Sequence, residues 1–204
     1  MERTALRVPQ VTVAGKRSTD RVRTIFLDAE ATGLRGIYAG GKDEIVELAI
    51  LDNRGRPVIN QLVHPTHRKT WLQAQRIHGI SPAMVADAPT LEALLPKVSE
   101  AVKDCRVVMY NSAFCLQFLP KHIFLESWVD CAMLQYAGWK GEWNLVGGDH
   151  RWHKLHVAAE ETGFNEDVQA HRALADTMAC RHVWRYLVRG RQPIPPVTAN
   201  DHAG

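Results

Sequence analysis

Two carboxylates stand one residue apart at the end of an apolar run, where Ile25, Phe26 and Leu27 lead into Asp28 and Glu30. On a strand, alternate residues share a face. Phe26, Asp28 and Glu30 therefore point one way, and Ile25 and Leu27 the other. Two acids held side by side on a mostly buried strand repel each other and lose hydration. A divalent cation, which favours hard oxygen ligands, is the usual compensation. The bland alternative is a strand running into a loop with both acids solvated.

A third acid changes the balance. Residues 171–176 read H-R-A-L-A-D. Projected at helical pitch, Asp176 falls on the same face as Ala173, Thr177, Cys180, Trp184 and Leu187. A carboxylate on a largely apolar helix face needs a partner, because an unpaired buried charge is costly. If that helix packs over the first strand, Asp28, Glu30 and Asp176 converge on one magnesium. His171, just before the helix, is then a candidate base for an attacking water. The competing reading is a His and an Asp at a solvated helix start.

The elements that must position these residues follow from periodicity and turn chemistry. Strands are expected over 24–29, 44–51, 56–63, 106–110 and 127–129. The second and third are joined by a D-N-R-G turn at 52–55. Helices are expected over 72–77, from Ser81-Pro82, from Thr90 with Leu91, Leu94, Leu95, Val98 and Val102 at helical spacing, over 114–119, 131–137 with Asp130 as cap, 151–162 and 172–187. Pro96 should kink or break the helix that contains it. Residues 139–152 should form a loop. A sequential antiparallel start followed by crossovers implies an α/β fold with a mixed sheet covered by helices.

Composition is that of an ordinary globular chain, with 46% hydrophobic and 23% charged residues among 204. No apolar run reaches membrane-spanning length and the start lacks a secretory signal, so no membrane partner and a cytoplasmic location are expected. The four cysteines contain no C-x-x-C pair, which suggests neither zinc nor a disulfide framework. Residues 1–23 carry six basic and two acidic side chains on a chain whose net charge is +3. Residues 1–22 are read as a basic flexible arm, 23–188 as the domain and 189–204 as a flexible tail containing prolines. The arm is compatible with nucleic-acid contact and equally with a solvated leader.

The segments F-L-D-A-E-A-T-G-L (26–34), V-M-Y-N-S-A-F-C-L-Q-F-L (108–119) and H-R-A-L-A-D (171–176) resemble, in order and spacing, the three motifs of the DEDDh 3′–5′ exonucleases. That group contains the polymerase proofreading subunit, ribonuclease T and oligoribonuclease. The stretch R-I-H-G-I-S-P-A-M-V-A-D-A-P-T (76–90) is similar to the family's linker. The resemblance implies a ribonuclease-H-like fold with a mixed five-stranded sheet. It implies a Mg2+- or Mn2+-dependent enzyme with two metal sites that trims single-stranded DNA or RNA from the 3′ end and releases nucleoside monophosphates. Asp28 would bridge both metals, Glu30 and Asp176 would hold the nucleophile-side metal, and His171 would be the general base. Ala29, Gly33, Leu34, His78 and Asn111 would lie near the 3′-terminal nucleotide. A polymerase or another nucleic-acid-processing protein is the implied partner.

One position departs from the pattern. The fourth carboxylate of such sites should follow Phe114, where this chain has Cys115, and no Asp or Glu lies between Asp104 and Glu126. A thiol is a soft ligand, mostly protonated near neutral pH and poorly suited to magnesium. A weak second metal site and slowed cleavage are expected. A different class of function is also open: a nuclease fold kept as a nucleic-acid-binding or docking module. Trp139, Trp143 and Trp152, interleaved with Lys140, Arg151, His153 and Lys154, are candidates for a stacking and phosphate-binding rim, or for the small core of their own loop.

Overall fold

A central strand with apolar side chains on both faces needs a cover on each side, and the chain supplies one from each half. The computed structural model describes residues 22–165 and 171–190. Five strands, β1 (Arg23–Ala31), β2 (Ile45–Asp52), β3 (Pro57–Leu62), β4 (Cys105–Met109) and β5 (Trp128–Cys131), form one sheet in the order β3-β2-β1-β4-β5. β1 and β2 run antiparallel, as do β2 and β3, while β4 lies parallel to both β1 and β5. This is the mixed five-stranded sheet of a ribonuclease-H-like fold.

The helices divide between the two faces. Ile25, Leu27 and Ala29 pack on the side of α2 (Leu91–Val102), against Leu94, Val98 and Val102. Phe26, two residues before Asp28, packs on the other side. There it meets Met133 and Tyr136 of α4 (Ala132–Lys140), Ala158 of α5 (Leu155–Glu161), and Cys180, Val183 and Trp184 of α6 (Ala173–Val188). A smaller cluster joins Val46 to Trp71, Ile80 and Val85 around α1 (Leu72–His78), with the Trp71 indole donating to the Ile80 carbonyl at 2.8 Å.

Several expectations are corrected. β1 runs to Ala31 rather than ending at residue 29, with a register shift between Glu30 and Ala31. Glu30 is therefore a strand residue paired opposite Glu47, beside the kind of irregularity that re-aims side chains. Pro96 does not break α2. It lies on the exposed face, where the carbonyl it leaves unbonded can turn to water, and the buried Leu94, Val98 and Val102 hold the helix down. α3 (Ser112–Cys115) is a single turn that starts earlier than the sequence suggests. Asp130 does not cap α4. It belongs to β5 and pairs with Arg106 at 3.2 Å, leaving Cys131 as the N-cap. Residues 139–152 are not a plain loop: α4 ends within them, and β6 (Trp143–Asn144) and β7 (Asp149–His150) form a hairpin. α5 begins only at Leu155, with Lys154 as an extended N-cap (φ −68°, ψ 153°), and the His153 carbonyl just before it accepts from the Tyr110 hydroxyl at 2.9 Å. Most of the expected arm and tail lies outside the described residues.

Candidate functional site

β1, β4 and β5 are parallel, and open sheets of this kind place ligands beyond the carboxyl ends of such strands. The N-terminus of α6 meets β1 and β2 there. Asp28, Glu30 and Asp176 each offer a carboxylate oxygen, and the three oxygens lie within 4.8 Å of one another. β1 alternation supplies the first two, and the first turn of α6 supplies the third.

The electrostatics of this group are those of acids lacking a counter-charge. Burial, then Asp176, then Glu30 hold the Asp28 carboxyl well above its ordinary range. Burial with the Asp176 and Glu47 charges pushes Glu30 up to about 8, against some relief from Arg172. Asp176 is raised mainly by burial, with His171 opposing. Three clustered carboxylates, all driven toward protonation, form a hard-oxygen donor set suited to a divalent cation. Such a cation would relieve all three at once.

Asp176 is anchored by the backbone it follows, since its Oδ1 accepts the His171 N–H at 3.3 Å. His171 itself has φ 59°, the left-handed region that non-glycine residues seldom adopt, and its side chain is exposed. The expected base thus sits at the junction that leads into α6, next to the acid group.

The junction is held by a pair that the sequence reading missed. Arg172 Nε reaches both carboxylate oxygens of Glu47 at 3.1 and 3.0 Å, and Glu47 also accepts the Ala173 N–H at 2.8 Å. Glu47 is only 3% exposed. A β2 residue therefore caps the start of α6 and ties it to the strand neighbouring β1. The available signal was a charge in the middle of the apolar run E-I-V-E-L-A-I-L, together with an arginine directly after His171.

The other expected site residues fall into distinct settings. Ala29 is buried, and its backbone N–H faces the Asp28 carboxylate and the Cys115 sulfur. Gly33 has a steric reason to be glycine: a Cβ there would meet the Asp43 carboxylate at 2.5 Å. Asp43 ties the loop together. It accepts the Arg35 N–H at 3.0 Å and the Arg68 guanidinium at 2.7 Å. Leu34, held at the rim of this loop, is 76% exposed and is no part of the core. Asn111 has φ 64° and starts α3 with no side-chain capping bond.

His78 lies inside the protein, 2% exposed. Its Nδ1 accepts the Ile80 N–H at 3.0 Å, so Nε2 carries the proton and faces the Ala31 carbonyl at 3.3 Å. Burial lowers its pKa. His78 thus locks the end of α1 to the end of β1 as a neutral ring. Cys115 is fully buried, and its thiol donates to Asp28 Oδ1 at 3.8 Å. The sulfur does lie beside the acid group, but burial and the Asp28 charge raise the thiol well above its ordinary pKa.

The tryptophan rim separates into two parts. Trp139 packs within the fold between Tyr136 and Tyr186, and His153 lies edge-on to Tyr136. Lys140 is taken up by Glu142 and Glu161. Trp143 and Trp152 remain exposed, at 57% and 61%, together with Arg151 and Lys154.

The family model described as RNase_T: Exonuclease matches residues 25–183, a span that includes all three acids and His171. The chain belongs to this exonuclease family. It is 35% identical over 178 residues to the uncharacterized exonuclease CP81 of Escherichia phage 186, covering 81% of this chain and 88% of that protein. It is 26% identical over 177 residues to the DNA polymerase III subunit epsilon of Rickettsia conorii, covering 84% and 76%. The fold is similar to that of Exonuclease X in complex with 5′ overhanging duplex DNA (TM-score 0.62, 24% identity, 81% and 91% covered). It is also similar to that of E. coli Exonuclease I in complex with a dA16 oligonucleotide (TM-score 0.65, 17% identity), of which it spans 42%. No helix among the described residues is long and apolar enough to cross a membrane.

Proposed function

We propose that the chain is a divalent-metal-dependent 3′–5′ exonuclease of the DEDDh type, acting on single-stranded or frayed 3′ ends. The observation that carries this reading is the convergence of Asp28, Glu30 and Asp176, from a strand and a distant helix, to within 4.8 Å beside His171.

These three carboxylates would hold Mg2+ or Mn2+, which when bound polarises the phosphodiester and offsets its developing negative charge. His171 accepts the proton of the attacking water at a ring nitrogen. The water oxygen bonds to the terminal phosphorus as the bond to the 3′ oxygen of the preceding nucleotide breaks. That oxygen takes a proton from solvent, and a nucleoside 5′-monophosphate leaves. Glu47 and Arg172 are positioning residues, because they fix the start of α6 and through it Asp176 and His171. Leu34, exposed after the end of β1, would press against the terminal base, and Asn111 and the Ala29 N–H would be further contacts to the 3′-terminal nucleotide.

Cys115 favours a second reading. A protonated, fully buried thiol replaces the fourth carboxylate, so the fold would serve mainly to bind nucleic acid, with weak cleavage. An assay with 5′-labelled DNA and RNA strands separates the two readings. The exonuclease reading requires a ladder that shortens one nucleotide at a time from the 3′ end, only with Mg2+ or Mn2+. Strand binding with no ladder under any metal would reject it in favour of the binding module.

A further inference from the structure

The segment that joins β1 to β2 is a firmly held loop at the edge where the acid group sits. β1 and β2 are antiparallel, so their connection lies at the carboxyl end of β1, directly after Glu30. The loop closes on itself. The Asp43 N–H donates to the Arg35 carbonyl at 2.9 Å, and the Gly41 N–H to the Gly36 carbonyl at 3.0 Å. It is also pinned across the site, because the Tyr38 N–H donates to the Gln117 carbonyl at 3.0 Å. Gln117 stands two residues after Cys115, whose thiol meets Asp28. A Cβ at Gly36 would run into the Gln117 backbone, so the close approach requires glycine there. The loop thus bridges the two segments that carry Asp28, Glu30 and Cys115.

The side chains this loop presents have no use within the fold. Residues 31–42 contain Arg35 and Lys42 and no acid. Both are exposed, and among the described residues neither side chain has a hydrogen-bond or ion-pair partner. Asp43, the next acid along the chain, is taken up by the Arg68 guanidinium and the Arg35 N–H. The backbone bond between Arg35 and Asp43 makes the two cations neighbours, with the Arg35 and Lys42 Cα atoms within about 9 Å. Tyr38 stands between them in the chain and is 42% exposed. Exposed cations interleaved with an aromatic ring suit a single nucleic-acid strand, whose phosphates meet the cations and whose bases meet the ring.

We propose that Arg35, Tyr38 and Lys42 hold the strand just to the 5′ side of the nucleotide being removed, the cations on its phosphodiesters and the Tyr38 ring on a base. The inference rests on the exonuclease reading above, which brings the 3′ end to Asp28. The bond from Tyr38 to Gln117 keeps the Tyr38 and Cys115 Cα atoms within about 15 Å. At about 3.4 Å per nucleotide of a stacked strand, the contact falls within about four nucleotides of the cut.

The test compares full-length wild type with Arg35→Gln/Lys42→Gln, Tyr38→Ala and Tyr38→Phe. Binding of fluorescent single-stranded DNA and RNA 12-mers is read by anisotropy in EDTA over a salt series. Thermal melts of the variants should stay close to wild type, because all three side chains are exposed. Loss of two phosphate contacts should reduce the log–log salt slope by about 1.4, at roughly 0.7 per single-strand contact. Tyr38→Ala should weaken binding about tenfold with the slope unchanged, and Tyr38→Phe should restore it. A 2-aminopurine base placed second, third or fourth from the 3′ end of the DNA reads the position of the contact. Wild type and Tyr38→Phe should quench it at one of those positions, and Tyr38→Ala should not. An unchanged salt slope in folded Arg35→Gln/Lys42→Gln, quenching that ignores Tyr38 at all three positions, or no binding of either 12-mer by wild type would overturn the proposal. Binding that depends on Arg35, Lys42 and Tyr38, with no 3′ ladder under Mg2+ or Mn2+, keeps this contact and rejects the exonuclease reading. A metal-dependent ladder with binding unchanged in every variant does the reverse.

Discussion

Replacing Cys115 by aspartate puts a fourth carboxylate against Asp28, and the structure sets the size of the consequence. The sulfur is 3.8 Å from Asp28 Oδ1, so two charges at that separation repel by about 4 kcal/mol at an effective dielectric constant near 20. Position 115 is fully buried, which adds a desolvation cost and drives the new group toward protonation. In EDTA the variant should therefore melt well below wild type. Saturating Mg2+ or Mn2+ should reverse that order by supplying the missing counter-charge, with metal affinity and trimming rate rising about 10–100-fold. Thermal melts with and without metal, calorimetric titration and a trimming assay read all three quantities. Cys115→Ala is the control, and its metal affinity should match wild type because the protonated thiol contributes little to a hard cation. If Cys115→Asp melts like wild type in EDTA and binds metal no better, Cys115 does not border the metal position and the reasoning fails.

Other outcomes follow from the same geometry. Glu30 has its carboxyl raised to about 8 in the folded chain from an ordinary value near 4.5. The metal-free protein should therefore lose stability as pH rises through that window, and urea melts with saturating Mn2+ should flatten the slope. Glu44 behaves in the opposite sense: burial raises it, but the Arg68, Thr66 and His67 donors win and hold it at about 2. Its contribution is present above about 4.5 and lost as pH falls toward 2, so Glu44→Gln should flatten the acid limb of the stability profile. Arg172→Ala strips a buried carboxylate of its cation, which should cost about 3 kcal/mol in chemical denaturation and lower kcat more than it raises KM. Leu34→Ala should leave stability within about 0.5 kcal/mol, because the side chain is exposed, while weakening oligonucleotide binding.

The acid group could be read from the chain because its local signals were strong. Period-two alternation placed Phe26, Asp28 and Glu30 on one face, and helical pitch placed Asp176 on the covered face of the last helix. The order of the five strands and of the long helices agrees with the structure for that reason, while the short α3 and the start of α5 were misplaced. The supports were harder to read. Glu47 and Arg172 are 125 residues apart, and nothing local says that a strand carboxylate will cap a distant helix. His78 looked like a substrate contact in its motif, yet both ring nitrogens face backbone groups, which only the packing of α1 against β1 reveals. Pro96 does not break α2, because the burial of Leu94, Val98 and Val102 outweighs the one hydrogen bond a proline removes, which only the packing reveals. The short hairpin at Trp143–His150 was missed because two-residue strands leave no periodicity to find.

The claim on which the rest depends is that Asp28, Glu30 and Asp176 share a divalent cation. A Mn2+ titration followed by electron paramagnetic resonance, on wild type and on each single alanine variant, tests it directly. Wild type should take up at least one Mn2+ per chain, and each of Asp28→Ala, Glu30→Ala and Asp176→Ala should weaken that uptake by about tenfold or more while circular dichroism shows the fold retained. Wild type that binds no Mn2+, or folded variants that bind it as well as wild type, would contradict the account.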